Sequence, residues 1–233
     1  MPIFIVKNNP QLVSPIHLTK EDEHHLRRVM RAKVGDEIFI TNNGGVKATA
    51  RLTKLNPLKI EITEKSIQPP PIPLTVCLPL IEQKRLEWAI EKLTEMNIAA
   101  VQLMTTQRTQ TRNLTQAKLD RLFKISETAQ KQSLRVQALH IYPSKEFNAL
   151  IGQTENIFFG KIDSSQENQK QKPRFLIKTP SSLFIGPEGG FTKEEQEQLE
   201  IKAAQALSMG TTVLKTETAC LVLASCLLSC CYY

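Results

Sequence analysis

The first part of the chain alternates apolar and polar residues over short segments. Residues 37–40, 46–52 and 58–62 follow this pattern, and an Asn-Asn-Gly-Gly sequence at 42–45 separates the first two segments. A period of two is typical of strands with one buried face, and the glycines favour a tight hairpin turn. The pattern therefore predicts a small β-barrel or β-sandwich in this region.

A short helix is predicted before these strands, at residues 19–31. Thr19 is a typical N-cap, acidic residues fill the first turn and basic residues fill the last. Helical spacing places Leu26, Val29 and Met30 on one buried face, which leaves the arginines of this segment toward solvent. The two adjacent histidines diverge by about 100° on such a helix and have no acidic partner at a metal-ligand spacing, so we expect them to be structural or to contact RNA.

A proline-rich stretch at residues 69–73 separates this region, residues 1–68, from one with a different pattern. Four prolines in five residues favour a stiff, extended linker. Strands are then expected at 74–80, 98–104, 138–142, 157–159, 183–185 and 206–209, and helices at 85–96, 115–132 and after residue 215. This order predicts an α/β domain, residues 74–233, in which helices cover a parallel sheet.

Two glycine-containing loops each connect a predicted strand to a predicted helix. In the first, Ile-Gly-Pro-Glu-Gly-Gly at 185–190 follows an apolar strand, and Thr192 with Glu195 forms a capping box for the next helix. In the second, residues 207–219 pass through Gly210 into another helix. Because the carboxyl ends of parallel strands meet at one edge of a sheet, both loops can offer backbone N–H and C=O groups to a single ligand.

The charge of the chain narrows the class of partner. Thirty Lys and Arg residues against 23 Asp and Glu residues give a formal net charge of +7. The excess is concentrated at residues 103–137, where seven basic residues face only two acidic ones. This local excess favours an anionic partner such as a nucleic acid.

Several familiar site motifs are absent from the sequence. No G-x-G-x-x-G follows the first strand of the α/β region, and there is no G-x-x-x-x-G-K-[ST], no H-E-x-x-H and no nucleophile elbow. Four of the five cysteines lie in one apolar run at 220–231 without C-x-x-C spacing, which predicts buried thiols in a reducing compartment rather than a metal site or a disulfide. That run is too short to span a bilayer, and the first residues do not form a signal peptide, so we expect a cytoplasmic protein that has no membrane partner.

The two loops together resemble those of a known enzyme family. Ile-Gly-Pro-Glu-Gly-Gly before a Thr-capped acidic helix, followed by L-x-x-G-x-x-x-L-K-T-E-T-A at 207–219, is similar to the SPOUT methyltransferases and specifically to the RsmE family, which methylates N3 of a uridine in 16S ribosomal RNA. The His-Leu-Arg-Arg-Val-Met-Arg sequence at 25–31 resembles the start of that family's PUA-like RNA-binding domain. Supporting similarities at 85–95, 107–109 and 132–135 extend the resemblance over nearly the whole chain.

The resemblance implies a particular fold, cofactor and assembly. It implies a C-terminal, trefoil-knotted SPOUT domain with helices on both faces of a parallel sheet, preceded by a small PUA-like β-barrel that binds RNA. It also implies S-adenosylmethionine as the cofactor, 16S ribosomal RNA of the small subunit as the substrate, and a homodimer. No metal is expected, because the histidines and cysteines lack metal-ligand spacing.

The loops and the resemblance together give three groups of candidate site residues. The cofactor is expected to contact Phe159, Gly160, Ile185, Gly186, Pro187, Gly189, Gly190, Leu207, Ser208, Met209, Gly210, Val213, Leu214, Thr216, Glu217 and Thr218. RNA is expected to contact His25, Arg27, Arg28, Arg31, Arg112 and Lys215. In catalysis, Arg108 is expected to stabilise the uracil anion and Arg135 to position RNA. Glu188 is a candidate base, although a loop-holding role is the favoured interpretation.

The sequence departs from the family pattern at a few positions. Thr212 and Lys215 stand where arginines are common, Asn97 replaces a glycine, and Glu82 and Lys131 reverse the usual charges. Because threonine and lysine lack the bidentate guanidinium, these changes bear on RNA binding and rate more than on the cofactor loops. Two alternatives therefore stay open: a non-catalytic RNA-binding or ribosome-assembly factor that keeps the fold, and a SPOUT methyltransferase that acts on another RNA site.

Overall fold

The structure, a computed structural model, describes residues 3–161, 180–208 and 210–229, which group into two compact units. The first unit contains Met1–Pro71 and Ser126–Ala138, and the second contains Ile72–Ile125 and Leu139–Tyr233. Met209, one of the residues predicted to contact the cofactor, lies outside the described residues.

Strands and helices alternate along most of the described chain. The strands are β1 (Ile3–Ile5), β2 (Glu37–Thr41), β3 (Val46–Leu55), β4 (Leu58–Ile67), β5 (Ile72–Pro79), β6 (Ile98–Thr105), β7 (His140–Glu146), β8 (Ile157–Lys161), β9 (Ser181–Phe184) and β10 (Gln205–Ser208). The helices are α1 (Lys20–His24), α2 (Gln83–Glu95), α3 (Gln116–Ser133), α4 (Phe147–Gln153), α5 (Lys193–Ile201) and α6 (Thr216–Ser229).

The first unit is built on a four-stranded sheet with the strand order β1-β2-β3-β4. The predicted hairpin is confirmed, because β2 pairs antiparallel with β3 and the Asn42 side chain accepts hydrogen bonds from the Gly44 and Val46 N–H groups at 2.7 and 3.1 Å. The period-two pattern buries alternate residues such as Ile38 and Ile40 in one apolar core. Strand β1 adds to this sheet by pairing parallel with β2, which the local pattern does not predict.

The helix before this sheet differs from the sequence prediction in its second half. Thr19 caps α1 as expected, because its side-chain oxygen accepts a hydrogen bond from the Asp22 N–H at 3.1 Å. From His25 the chain follows a wider turn, in which the Met30 N–H donates to the His25 carbonyl at 3.0 Å. The wider turn rotates Val29 away from the core, so its predicted burial is wrong and the residue is 65% exposed.

The last part of α3 and the residues after it group with the first unit. The Thr41 hydroxyl donates to the Val136 carbonyl at 2.7 Å, and the Lys131 amine lies 2.9 Å from the buried Asp22 carboxylate. The compact units therefore differ from the predicted division, which keeps residues 74–233 together. Contacts between segments this far apart leave no trace in periodicity.

The second unit is an α/β structure, as the alternation of strands and helices predicts. All pairings in its six-stranded sheet are parallel, in the order β10-β8-β9-β5-β6-β7. Helices α2 and α6 cover one face, where Ile90 and Leu223 join one apolar cluster. Helices α4 and α5 cover the other face, where Phe147 and Leu199 join a second cluster with Phe184. Because every strand runs in the same direction, all the carboxyl ends open onto one edge of the sheet.

The C-terminal cysteines only partly follow the expectation of buried thiols. Cys220 is buried in α6 and belongs to the same apolar cluster as Leu223, but Cys226 is not part of that cluster and is exposed. Cys230 and Cys231 lie outside the described residues. Among the helices that the structure describes, none has the length and apolar character needed to cross a membrane.

Candidate functional site

A cavity of about 260 Å³ opens at the carboxyl edge of the six-stranded sheet. We call it the β8–β9 cavity, because the end of β8 and the loop after β9 bound it together with the segment that enters α6. Nine residues predicted to contact a cofactor line it: Phe159, Gly160, Ile185, Gly186, Pro187, Gly190, Val213, Leu214 and Thr216. Both predicted glycine loops therefore contribute to one cavity.

The remaining described residues of that predicted group lie beside the cavity. Leu207 is buried in β10, and the Ser208 hydroxyl accepts a hydrogen bond from the Gly210 N–H at 3.2 Å. Gly189, Glu217 and Thr218 belong to the loop and helix that form its walls but do not line it. Five lining residues were not predicted from the sequence: Lys161, Phe191, Gln196, Ala219 and Leu223. Helical spacing from Thr216 is the one signal that would have found the last two of these.

The first glycine loop is compact because it folds back on itself. The Gly190 N–H donates to the Pro187 carbonyl at 2.7 Å, and Gly190 has a φ of +69°, a conformation that favours glycine. Gly186 lies so close to this turn that a Cβ atom on it would be 3.3 Å from Gly190 Cα and 3.4 Å from the Phe191 nitrogen. The loop therefore brings bare backbone to the cavity wall, where a ligand can approach it closely.

The predicted capping box is confirmed, and its glutamate also reaches a second segment. Thr192 Oγ1 accepts from the Glu195 N–H at 3.2 Å, and Glu195 Oε2 accepts from the Thr192 N–H at 2.9 Å. The other carboxylate oxygen, Oε1, accepts a hydrogen bond from the Gln107 N–H at 2.8 Å. Because Glu195 is only 2% exposed, this buried charge is held by backbone donors from two segments. It joins the first glycine loop to residues 106–115, which we call the β6–α3 loop.

Arg108 extends from the β6–α3 loop to the first glycine loop. Its Nη1 atom donates to the Gly189 carbonyl and, at 3.4 Å, to the Phe191 carbonyl. The contact is close, because a Cβ atom on Gly189 would lie 3.1 Å from Arg108 Cδ. Arg108 is exposed. The structure thus places a surface cation directly beside the loop that walls the β8–β9 cavity.

Glu188 pairs with Arg85 of α2. Arg85 Nη1 donates to Glu188 Oε1, and Arg85 Nε also lies 3.6 Å from a Glu82 oxygen and 3.8 Å from a Glu217 oxygen. This ion pair ties the loop that carries Glu188 to α2, which favours the loop-holding interpretation. Arg85 is not among the predicted site residues, because Glu188 and Glu217 come from two distant segments.

The predicted RNA-binding residues of the first unit lie mostly at its surface. His25, Arg28 and Arg31 are exposed. Arg27 is half-buried and its guanidinium pairs with Glu23 at 3.0 Å. Three of the four side chains are thus open to an anionic partner.

The other two predicted RNA-binding residues, Arg112 and Lys215, are both exposed, but Arg112 also bonds to its own loop. Arg112 donates from Nη1 to the Thr106 carbonyl at 3.0 Å and from Nη2 to the Gln107 carbonyl at 3.1 Å. Arg112 therefore braces the β6–α3 loop that carries Arg108.

Arg135 is buried rather than presented to RNA. It is 5% exposed, and its guanidinium donates to the Gln137 carbonyl at 2.6 Å and to the Ala138 carbonyl at 3.3 Å. Burial also lowers the pKa of Arg135 to about 10. The burial of Arg135 argues against a direct role in positioning RNA. A run of basic residues in the sequence does not reveal which of them folds inward.

The lining of the β8–β9 cavity suits a ligand with a flat apolar part and polar edges. Phe159, Ile185 and Leu214 supply apolar surface, and the glycine loop supplies backbone groups. Among the described lining residues, Lys161 is the only cation, so the wall lacks the basic cluster typical of a phosphate site. In the parts of the chain that the structure describes, no group of three His, Cys, Asp or Glu side chains is arranged to hold a metal ion.

Comparisons with known proteins agree on one family. A family model described as an RNA methyltransferase domain matches residues 68–228, and one described as an RNA methyltransferase PUA domain matches residues 18–65. The chain is 28% identical to the ribosomal RNA small subunit methyltransferase E of Bacillus subtilis, over 93% of this chain and 91% of the relative. It is 26% identical to the protein of the same name from Rickettsia conorii, over 84% and 82%.

Solved structures share the fold of the whole chain. A probable rRNA-methyltransferase from Porphyromonas gingivalis superposes with a TM-score of 0.84 at 23% identity, covering 99% of this chain and 98% of the other. A ribosomal RNA small subunit methyltransferase E from Neisseria gonorrhoeae, solved bound to S-adenosyl methionine, gives a TM-score of 0.83 at 23% identity with the same coverage. The fold class expected from the sequence is thereby confirmed.

Proposed function

We propose, because this chain belongs to the RNA methyltransferase family, that it transfers a methyl group from S-adenosylmethionine to N3 of a uridine in 16S ribosomal RNA. The observation that carries the proposal is the position of Arg108. Its guanidinium contacts the glycine loop of the β8–β9 cavity, so a cation lies where a cofactor and an RNA base would meet. The curated relatives named as methyltransferases of small-subunit ribosomal RNA support the class of substrate.

The β8–β9 cavity fits this cofactor in its chemistry. S-adenosylmethionine carries an adenine ring, a ribose and an amino acid chain but no phosphate, and the lining combines apolar side chains with loop backbone. A Cβ atom on Gly186 would crowd the backbone of the loop, which supports a wall built for close approach. We assign the cofactor to the predicted residues that line the cavity, with Gly189, Leu207, Ser208, Gly210, Glu217 and Thr218 supporting their loops.

The chain contributes alignment and charge to the reaction. When bound, the cofactor supplies an electrophilic methyl carbon. Holding two reactants in line can lower a barrier by roughly 7–11 kcal/mol, and the two loops do this by fixing the position of the cavity wall. Uridine N3 carries a proton at neutral pH. The positive charge of Arg108 favours loss of this proton to solvent water and stabilises the anionic ring that accepts the methyl group. Within the described residues Arg108 uses only Nη1 for the protein, so Nη2 and Nε remain for the uracil oxygens.

Glu195 is assigned as a positioning residue that acts through Arg108. Replacing Glu195 with glutamine removes a charged acceptor from the Thr192 or the Gln107 N–H group. Losing one charge-assisted hydrogen bond of about 1.5–3 kcal/mol is expected to slow methyl transfer by roughly 10–100-fold. Steady-state rates with saturating cofactor test this.

Two comparisons separate positioning from general damage to the fold. The exposed Glu197 is a matched control in the same helix, and Glu197→Gln is expected to keep the wild-type rate. If Glu195 acts through Arg108, the double variant of Glu195→Gln with Arg108→Ala is no slower than Arg108→Ala alone. Fully additive losses in the double variant would rule out this coupling.

The activity itself is tested by methyl incorporation. Small ribosomal subunits that lack N3-methyluridine are incubated with the protein and labelled S-adenosylmethionine, and the digested RNA is analysed by mass spectrometry. Label at N3 of one uridine is the expected result. Label at another base or at a ribose would identify a methyltransferase with a different RNA site. Cofactor binding without any incorporation would favour the non-catalytic assembly factor.

We further propose that residues 1–68 are a PUA-like RNA-binding domain and that the protein acts in the cytoplasm, where small subunits are assembled. The family model for the PUA domain and the exposed arginines of this region support the first point. Replacing both Arg28 and Arg31 with alanine is expected to weaken RNA binding and to flatten the plot of log affinity against log salt by about 0.7 per lost phosphate contact.

Arg51 provides the control for this charge effect. It lies in the same unit but pairs with Glu37 at 3.1 Å, so Arg51→Ala is expected to change the salt dependence little. Equal effects of Arg51→Ala and of the double variant would show that net charge alone, and not this surface, binds RNA. Co-sedimentation with small subunits from cell extracts tests the place of action.

A homodimer is the proposed assembly. Helix α6 leaves Val222 38% exposed and Cys226 exposed, so part of its outer face is apolar and available for a second copy. Sedimentation velocity at micromolar concentration is expected to give the mass of two chains. A single-chain mass over the same range would contradict the proposal.

A further inference from the structure

We propose that a second cavity, at the carboxyl ends of β6 and β7, binds the phosphate of an RNA nucleotide that neighbours the methylated uridine. This inference rests on the proposed function, because it requires RNA as the substrate. The cavity measures about 370 Å³. We call it the β6–β7 cavity.

Polar groups without protein partners converge on the β6–β7 cavity. Thr105 lines it and is 7% exposed, and its hydroxyl has no hydrogen-bond partner in the described part of the chain. Asn113, Ser144 and Lys145 also line it, and their side chains likewise have no partner among the described residues. These hydroxyl, amide and ammonium groups are therefore available to donate hydrogen bonds to a ligand that accepts them.

The charge of the β6–β7 cavity indicates an anionic ligand. Arg112 and Lys145 place two cations in its lining, and Glu146 is the one described carboxylate there. The bonds of Arg112 to two loop carbonyls leave other guanidinium hydrogens for an acceptor. Hydroxyl, amide and cationic donors in one place form the donor set that binds phosphate oxygens.

An apolar floor distinguishes a nucleotide from a bare anion. Leu103, Leu114, Leu119 and Pro143 line the same cavity as the cations. A free phosphate has nothing to bury against them, whereas a ribose or a base does. The combination therefore fits a nucleotide whose phosphate contacts Lys145 and Arg112.

The position of the β6–β7 cavity relates it to the β8–β9 cavity. Both lie at the carboxyl edge of one parallel sheet, in which β5 separates β9 from β6 and β7 follows β6. Neighbouring strands are about 4.8 Å apart, so the two cavities are separated by roughly 10–15 Å along the edge. The β6–α3 loop runs between them, with Arg108 touching the glycine loop and Arg112 lining the second cavity. This separation fits a nucleotide near the target in the same strand, and not the target itself.

The test measures RNA binding rather than methyl transfer. The probe is a set of short single-stranded RNAs around one uridine, each with a single phosphate replaced by an uncharged methylphosphonate. Replacing the phosphate at one position is expected to weaken binding to the wild-type protein by about tenfold, which corresponds to the loss of one charged hydrogen bond. Lys145→Gln is expected to weaken binding of the unmodified RNA by the same factor. In this variant, the methylphosphonate at that position is expected to cause no further loss of affinity. Thr105→Val is likewise expected to weaken binding of the unmodified RNA and to reduce the effect of the methylphosphonate at that position.

Control measurements decide between this proposal and simpler explanations. Lys202→Gln removes one exposed positive charge from the same unit and is expected to keep the wild-type pattern. Inorganic phosphate at millimolar concentration serves as a competitor. If the cavity is a site for free phosphate, the wild-type protein binds inorganic phosphate while every RNA keeps its affinity. That result, or equal methylphosphonate effects in wild type and Lys145→Gln, would overturn the proposal. Because this experiment measures RNA affinity and not methyl transfer, its outcome does not depend on which RNA atom accepts the methyl group.

Discussion

Arg108→Ala is expected to lower the rate of methyl transfer by about 10²–10³-fold and to leave the affinity for S-adenosylmethionine within a few-fold of wild type. Losing one preorganised donor to a developing anion has an effect of this size. The cofactor loop keeps its own Gly190-to-Pro187 hydrogen bond when the arginine is removed, so the β8–β9 cavity should persist. Single-turnover rates at saturating cofactor, together with direct binding of labelled cofactor, provide the two measurements.

The matched control for Arg108 is Arg121. Arg121 is also an exposed arginine of the second unit, but its guanidinium pairs with Glu87 on α2. Arg121→Ala is therefore expected to react at the wild-type rate. A second variant, Arg108→Lys, keeps the charge and loses the fork of donors, so an intermediate rate is expected. An Arg108→Ala enzyme with the wild-type rate would exclude Arg108 from catalysis.

Gly186→Val is expected to abolish measurable binding of S-adenosylmethionine. A Cβ atom at this position would lie 3.3 Å from Gly190 Cα and 3.4 Å from the Phe191 nitrogen. Both are backbone atoms, so the clash cannot be relieved by rotating a side chain. The valine therefore forces the two sides of the loop apart and displaces the wall of the β8–β9 cavity. Isothermal titration with the cofactor measures the loss, and circular dichroism verifies that the variant is folded.

Gly152 in α4 is the control for this substitution. A Cβ atom on it would meet nothing within 4 Å, so Gly152→Ala adds a methyl group to open space. Cofactor affinity is expected to stay unchanged, and the helix is expected to gain up to about 1 kcal/mol of stability. If a folded Gly186→Val protein binds the cofactor with wild-type affinity, the cofactor site is not at this loop.

Local patterns account for much of the fold and for the position of the candidate site. The Asn-Asn-Gly-Gly turn, the Thr19 cap and the Thr192–Glu195 capping box all occur where the sequence predicts them. The family resemblance rested on the two glycine loops, and the match of residues 68–228 to the RNA methyltransferase model confirms it. These features depend on residues close together in the chain, so periodicity and turn chemistry suffice to find them.

Long-range contacts account for what the sequence analysis missed. The pairing of β1 with β2, the grouping of Ser126–Ala138 with the first unit and the ion pairs of Arg85 with two glutamates far along the chain all join distant segments. Val29 was misplaced because one wide turn changed the helical phase. Neither a distant partner nor a change of phase has a signature in local composition.

The basic stretch at 103–137 shows where the two kinds of information divide. The sequence by itself determined that arginines cluster after β6 and that two glycine loops meet at the sheet edge, because composition and strand order follow directly from the chain. Only the tertiary structure decided that Arg108 contacts the cofactor loop, that Arg112 braces its own loop and that Arg135 is buried. Three chemically identical side chains received three different roles, because the partners of a guanidinium and its distance from solvent are set by how distant segments pack.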